Sequence, residues 1–281
     1  MLPVFFQPHP LLQNYVEAII ISNFDFDCER NISSISTFVP TYERFLCFHL
    51  ADQIQVKKEN SQYSLRPRSI IVGQQLKPVE LNFGQIHFCV SAVLKPSGMF
   101  RLTGIPQHEM IDRDFDGSLL LGKEVNGLIE QLGNANSNNQ KNIIIQQYLL
   151  SKLWKLKPLL PFDAAISDLI NSGGNLSVEK LASLSCLCVR QLERISLERI
   201  GLSPKLYSRI IRFTRAYQYK EYFPKCSWTA IAHNCGYYDQ MQMIHDFKFF
   251  AGINPGLLKE NNIESLMHFQ ISEAEASFSE L

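Results

Sequence analysis

The chain has 281 residues, with 27 Lys+Arg against 27 Asp+Glu and a formal net charge of zero. Its 46% hydrophobic, 19% charged and 11% aromatic content excludes a disordered, collagen-like or coiled-coil chain. The length suggests roughly two cored domains, and the overall neutrality argues at first against a protein that coats nucleic acid electrostatically.

No Lys or Arg precedes Arg30, so the start lacks the basic stretch of a secretory signal. No run approaches about 18 consecutive apolar residues, so no membrane span is expected. The seven cysteines are odd in number and include no Cys-x-x-Cys pair, which points to reduced, mostly buried thiols in a cytoplasmic protein.

In chain order, residues 18–26, 44–50, 53–57, 69–73 and 79–83 are short runs rich in Ile, Val, Leu and Phe and are predicted as strands. Turn chemistry such as Ser-Leu-Arg-Pro-Arg at 64–68 separates them. The clearest strand is 86–94, where Ile86, Phe88, Val90, Ala92 and Leu94 alternate with His87, Cys89 and Ser91. Lys95-Pro96-Ser97-Gly98 stops it. From about 117 the period becomes helical, through Leu121, Val125, Leu128, Ile129 and Leu132. A polar loop at 133–140 leads to a second predicted helix, about 141–156, with Ile144, Ile145, Tyr148, Leu149, Leu153 and Trp154. Residues 157–161 (Lys-Pro-Leu-Leu-Pro) read as a linker, because two prolines within four residues cannot continue a helix. The part beyond is predicted to be all-helical to about 260. Residues 261–281 carry four Glu and no Lys or Arg and read as a frayed acidic tail.

The C-terminal half contains a degenerate repeat. Leu181-Ala182 matches Ile231-Ala232, and Cys186 matches Gly236 at an expected tight turn. Gly201-Leu202-Ser203-Pro204 matches Gly252-Ile253-Asn254-Pro255. Gly suits the left-handed position after a helix, Ser or Asn caps the next one, and Pro opens it. Each unit is thus helix, turn, helix. Between them a helix from about Pro204 to Phe223 places Leu206, Ile210, Phe213 and Tyr217 on one stripe. Its ~20 residues span about 30 Å, close to the ~34 Å between successive major grooves on one face of DNA.

In the first unit Val189, Leu192 and Ile195 are predicted to point inward. Arg190, Glu193 and Arg194 share the other face, as guanine and cytosine readers would. In the second, Met243, Phe247 and Phe250 point inward, leaving Gln240, Met241, Gln242 and His245 toward bases. Lys248 suits phosphate, as do Arg199, Lys205, Arg209 and Arg212. Between Arg190 and Lys225 nine basic residues face three acidic ones, so the neutral total hides a basic reader.

These residues resemble the AraC/XylS family of bacterial transcription regulators over about 162–260. The most specific stretch runs from Ile231-Ala232 through Gly236-Tyr237-Tyr238-Asp239-Gln240 and Phe247-Lys248 to Gly252-Ile253-Asn254-Pro255. The resemblance implies binding of double-stranded promoter DNA through two motifs on one long helix, with RNA polymerase as a partner. Ser196 stands where the family usually has Phe, His245 where Arg is common and Met241 where a small residue is common. More loosely, Val93–Pro106 and the helical 117–156 region resemble an uncharacterised sensor-type domain of some such regulators. That resemblance implies a module that binds a small-molecule effector or self-associates as a homodimer.

The expected architecture is therefore α+β. A β-rich, barrel-like module with packed helices occupies 1–156, a linker 157–161, and an all-α double helix-turn-helix domain 162–260. No cofactor, metal or catalytic residue is expected. His9, His49, His87 and His108 share no metal spacing. Asp112, Asp114, Asp116 and Gly117 begin a calcium-loop pattern that fails at Lys123. Ile70-Ile71-Val72-Gly73 leads to no phosphate loop. The alternatives are an enzyme module or a ligand-free adaptor fused to a DNA-binding domain.

Overall fold

The computed structural model describes residues 3–28 and 33–258; the acidic tail expected at 261–281 lies outside the described residues. Strands β1 (Val4–Phe6), β2 (Val16–Asp25), β3 (Ile35–Phe38), β4 (Arg44–His49), β5 (Gln55–Lys57), β6 (Ser64–Leu65), β7 (Ser69–Val72), β8 (Val79–Asn82), β9 (Ile86–Leu94) and β10 (Asp114–Asp116) build two antiparallel sheets. One has the order β1-β2-β9-β4-β7-β10, the other β3-β8-β5-β6. The six predicted strands are present. Four more were not predicted, namely β1, β3, β6 and β10, each of only two to four residues. So short a run gives almost no alternation to read, and β6 lies within the stretch that reads as a turn.

The alternation on β9 is real, but both of its faces are covered. Val90, Ala92 and Leu94 join Ile19, Ile21, Leu46 and Phe48 in a core with the module's helices. Cys89 and Ser91, with Cys47 and His49 of β4, look the other way, into the space between the sheets. Each fully buried Leu, Ile or Phe contributes about 1.5–3 kcal/mol relative to exposure.

The helices of the module are α1 (Gly98–Thr103), α2 (Gly117–Leu121), α3 (Glu124–Asn134) and α4 (Asn138–Leu150). Helix α1 follows directly on the stop signal after β9. The helical region from 117 is split at Gly122, whose φ of 104° no L-residue adopts easily. Ser137 accepts from the Gln140 amide and starts α4, so the loop is shorter than the sequence suggested. Beyond Leu150 only a 3₁₀ turn, Leu153–Lys155, continues, and it leaves Trp154 85% exposed rather than on an apolar stripe.

The helical C-terminal part contains α5 (Pro161–Asn171), α6 (Val178–Leu184), α7 (Val189–Arg199), α8 (Pro204–Tyr222), α9 (Trp228–Asn234) and α10 (Gln240–Phe250). Helix α5 opens on Pro161, at the end of the predicted linker. The units are α6–turn–α7 and α9–turn–α10. Their turns hold Cys186 at φ 55° and Gly236 at φ 76°, as the repeat implied. Ser203 accepts from the Leu206 amide and Pro204 is the first residue of α8. Helix α8 is buried far more widely than one stripe. Tyr207, Ile210, Ile211, Phe213, Thr214, Ala216, Tyr217 and Gln218 are all buried, because both units pack onto it.

Candidate nucleic-acid interface and sensor pocket

On α7, Leu192 is fully buried, whereas Arg190, Gln191, Glu193, Arg194 and Leu197 are exposed. Val189, expected inside, is 40% exposed, because it is the first residue of the helix and overhangs its own turn. On α10, Met243, Phe247 and Phe250 are fully buried, and Gln240, Met241, Gln242, His245 and Lys248 lie outside. Tyr238, just before α10, is 95% exposed. Helical spacing from Arg190 and Arg194 also points to Gln191 and Leu197 as part of this outer face. Gln240 also accepts from the Thr229 hydroxyl at 2.9 Å, tying the two helices of the second unit together.

Three of the arginines expected at phosphates are engaged inside the protein. Arg199 is 4% exposed. Its Nη2 and Nε donate to Asp163 at 2.7 and 3.0 Å, and its guanidinium lies over Phe100. The phosphate role expected of it is therefore corrected to a structural one. Arg209 donates to the buried Asp246 at 2.9 Å and stacks on Phe249. Arg212 donates to the Gly174 carbonyl at 2.9 Å and lies over Tyr237. Both brace the helical part, although Arg209 keeps 31% of its side chain exposed. Lys205 and Lys248 stay exposed. Ser196 is fully buried and its hydroxyl donates to the Leu202 carbonyl at 2.6 Å. The cysteines are also less buried than expected. Cys186 and Cys188 are exposed at the turn before α7, and only Cys89 and Cys235 are buried.

The N-terminal module grips the end of α7. The His108 ring meets the Leu197 carbonyl at 3.3 Å. A Cβ at Gly201 would come within 2.8 Å of the Gln107 carbonyl, so only glycine fits there. Arg44, 2% exposed, donates to the carbonyls of Tyr42 and Glu43, to the Gln74 side chain, and at 3.4 Å to the carbonyl of Ile200 just past α7. Gln74 in turn donates to the Thr41 carbonyl at 3.0 Å.

Thr41, Glu43, Gly73 and Gln75 form one rim of a pocket of about 150 Å³ between the two sheets. Its opposite end carries a cluster that spacing alone did not reveal. Cys47 and His49 are two apart on β4, and His87 and Cys89 are two apart on β9. The register places His49 opposite Cys89. The His49 and His87 rings are 6.1 Å apart. His87 Nε2 meets the Ser22 hydroxyl at 3.1 Å, while His87 Nδ1 and both nitrogens of His49 have no protein partner. Burial, with His87 and Arg66 nearby, pushes His49 down to about 3; burial pushes His87 down to about 4. Both rings are therefore neutral at pH 7. Arg66 holds Asp114 at 2.7 Å and leaves its Nε without a protein partner. The Cys89 thiol, by hydrogen bonding, holds the Cys47 thiol below its ordinary range. The carboxylates of the calcium-like pattern diverge. Asp112 accepts from the Leu76 amide, Asp114 pairs with Arg66, and Asp116 caps α2.

No protein-family model matches the chain, and no curated protein does. Among solved structures, the chain is similar to apo ToxT, in a substituted form, from Vibrio cholerae strain SCE256, with 13% identity and a TM-score of 0.47 over 85% of this chain and 95% of that one. It is similar to ToxT from Vibrio cholerae O395 bound to (E)-4-(8-methylnaphthalen-1-yl)but-3-enoic acid, at 12%, 0.46, 84% and 96%. The AraC-like transcriptional activator CuxR follows at 12%, 0.19, 91% and 74%. No helix among the described residues is long and apolar enough to cross a membrane.

Proposed function

We propose that the chain is a sequence-specific DNA-binding transcription regulator whose two helix-turn-helix units read adjacent major grooves. The observation that carries this reading is the pair of outward polar faces, on α7 and α10, mounted on one buried helix. The 19 residues of α8 reach roughly 28 Å at 1.5 Å per residue. Arg190, Glu193 and Arg194 are the base readers of the first unit, and Gln240, Met241, Gln242 and His245 those of the second. Lys205 and Lys248 meet phosphate. RNA polymerase is the protein partner such a reader would serve.

Control comes through the N-terminal module. Supporting this, the pocket rim and the end of α7 are joined through Gln74 and Arg44. A small-molecule effector in the pocket would thereby bear on the first unit. The test is selection of bound DNA from a random pool by the full chain, followed by sequencing. Two half-sites about one helical turn apart are expected; unselective binding, or a single half-site, overturns the reading.

A further inference from the structure

We propose that the pocket between the sheets is a receptor site for an uncharged, hydroxyl-bearing single-ring aromatic of the phenol class. Its regulatory meaning rests on the reading given above; its binding chemistry does not. A cavity of about 150 Å³ holds one benzene-sized ring. The walls suit such a ring, since Phe24, Phe38, Phe83, Val79 and Leu81 line it. Aromatic rings favour edge-on and tilted contacts of the kind Phe83 already makes with His87 at 4.8 Å and with Phe38 at 5.9 Å.

The polar end sets the head group. A neutral imidazole offers one N–H and one lone pair, and at His49 both are without a protein partner. Arg66 offers an Nε–H beside it. A hydroxyl is donor and acceptor at once. It donates to the bare nitrogen of His49 and accepts from the Arg66 Nε–H. The lining has no spare positive charge for an anion. Arg66 is neutralised by Asp114 at 2.7 Å, and both histidines are neutral. A carboxylate placed there would be a buried charge with its counterion already spent, which is strongly unfavourable. A ring with no head group would leave the imidazole unmet, at a cost large enough to weaken binding about tenfold or more.

The experiment uses the full chain without DNA and compares phenol, benzene and benzoate by titration calorimetry and by thermal shift. Phenol is expected to bind one to one and raise the melting temperature, with benzene and benzoate at least about tenfold weaker. His49→Phe keeps a ring in place and should reduce phenol to the affinity of benzene. Leu81→Trp fills the pocket from β8 and should abolish binding. Circular dichroism verifies that each variant is folded. Should either variant unfold, ring-proton contacts from phenol to Phe83 and His87 in the unsubstituted protein decide the site. Benzoate binding as tightly as phenol, no phenol binding at all, or phenol contacts lying outside the pocket overturns the proposal. Failure of the DNA selection with phenol binding intact would overturn the regulator reading alone.

Discussion

Helix α7 of the first unit is gripped from outside. Near its end Arg199, anchored by Asp163 of α5, lies over Phe100 of the N-terminal module, the Leu197 carbonyl meets His108, and the Ile200 carbonyl meets Arg44. Helix α10 of the second unit is held from inside, by rings. Phe247 lies 5.0 Å from Phe213 and 5.3 Å from Trp228, and Phe250 lies 5.1 Å from Phe213. The module's approach to α10 that stands out is Lys77 over Phe249 at 5.8 Å. A change in the N-terminal module therefore reaches the first unit directly, and the second chiefly through α8. The same motif is built once against the N-terminal module and once mainly on its own aromatic core.

The largest expected effect tests the grip. Arg199→Ala strands the buried Asp163 carboxylate and should cost about 3–5 kcal/mol in urea unfolding. Hydrogen exchange should then rise in α7 more than in α10; equal loss of protection in the two would break the asymmetry.

The next concerns the second unit's side of the core. Burial pushes Glu221, near the end of α8, up to about 8 from 4.5. The folded protein keeps a proton there that the unfolded chain gives up. That stability is complete below pH 4.5 and is lost as pH rises through about 8. Melting temperatures should fall between about pH 4.5 and about pH 8 and level off above that, and Glu221→Gln should flatten the curve.

Third, Arg194→Ala should cost about 1–3 kcal/mol on a selected site and relax one base position. An equal loss on random DNA would show a phosphate contact instead. The smallest effects lie in the two turns. Cys186 occupies a left-handed conformation that costs an L-residue roughly 1–2 kcal/mol, so Cys186→Gly should raise the melting temperature slightly. Gly236→Ala should lower it, because the φ of 76° there strains any residue with a Cβ.

The repeat, the long helix, its Ser203-Pro204 start and the inner stripe Met243-Phe247-Phe250 were legible because each is written in local spacing. The fate of the arginines was not. Arg199 finds Asp163 36 residues away and Arg209 finds Asp246 37 residues away. Nothing in a basic run tells a bracing arginine from a reaching one. The pocket cluster was hidden for the same reason. His49 and His87 are 38 positions apart in the chain, and only the β4–β9 register brings them to one face. Period two does place Cys47 with His49 and His87 with Cys89, so half of that signal was present.

The burial of α8 on nearly every side has a consequence for the DNA. A helix exposed along one flank can gain or lose a turn by repacking, but one enclosed by both units cannot. On the proposed reading the surface letters of α7 and α10 are free to drift while the distance between the words they read stays fixed. Inserting half a helical turn, about five base pairs, between the half-sites should then be as damaging as erasing one of them, although no contacted base has changed.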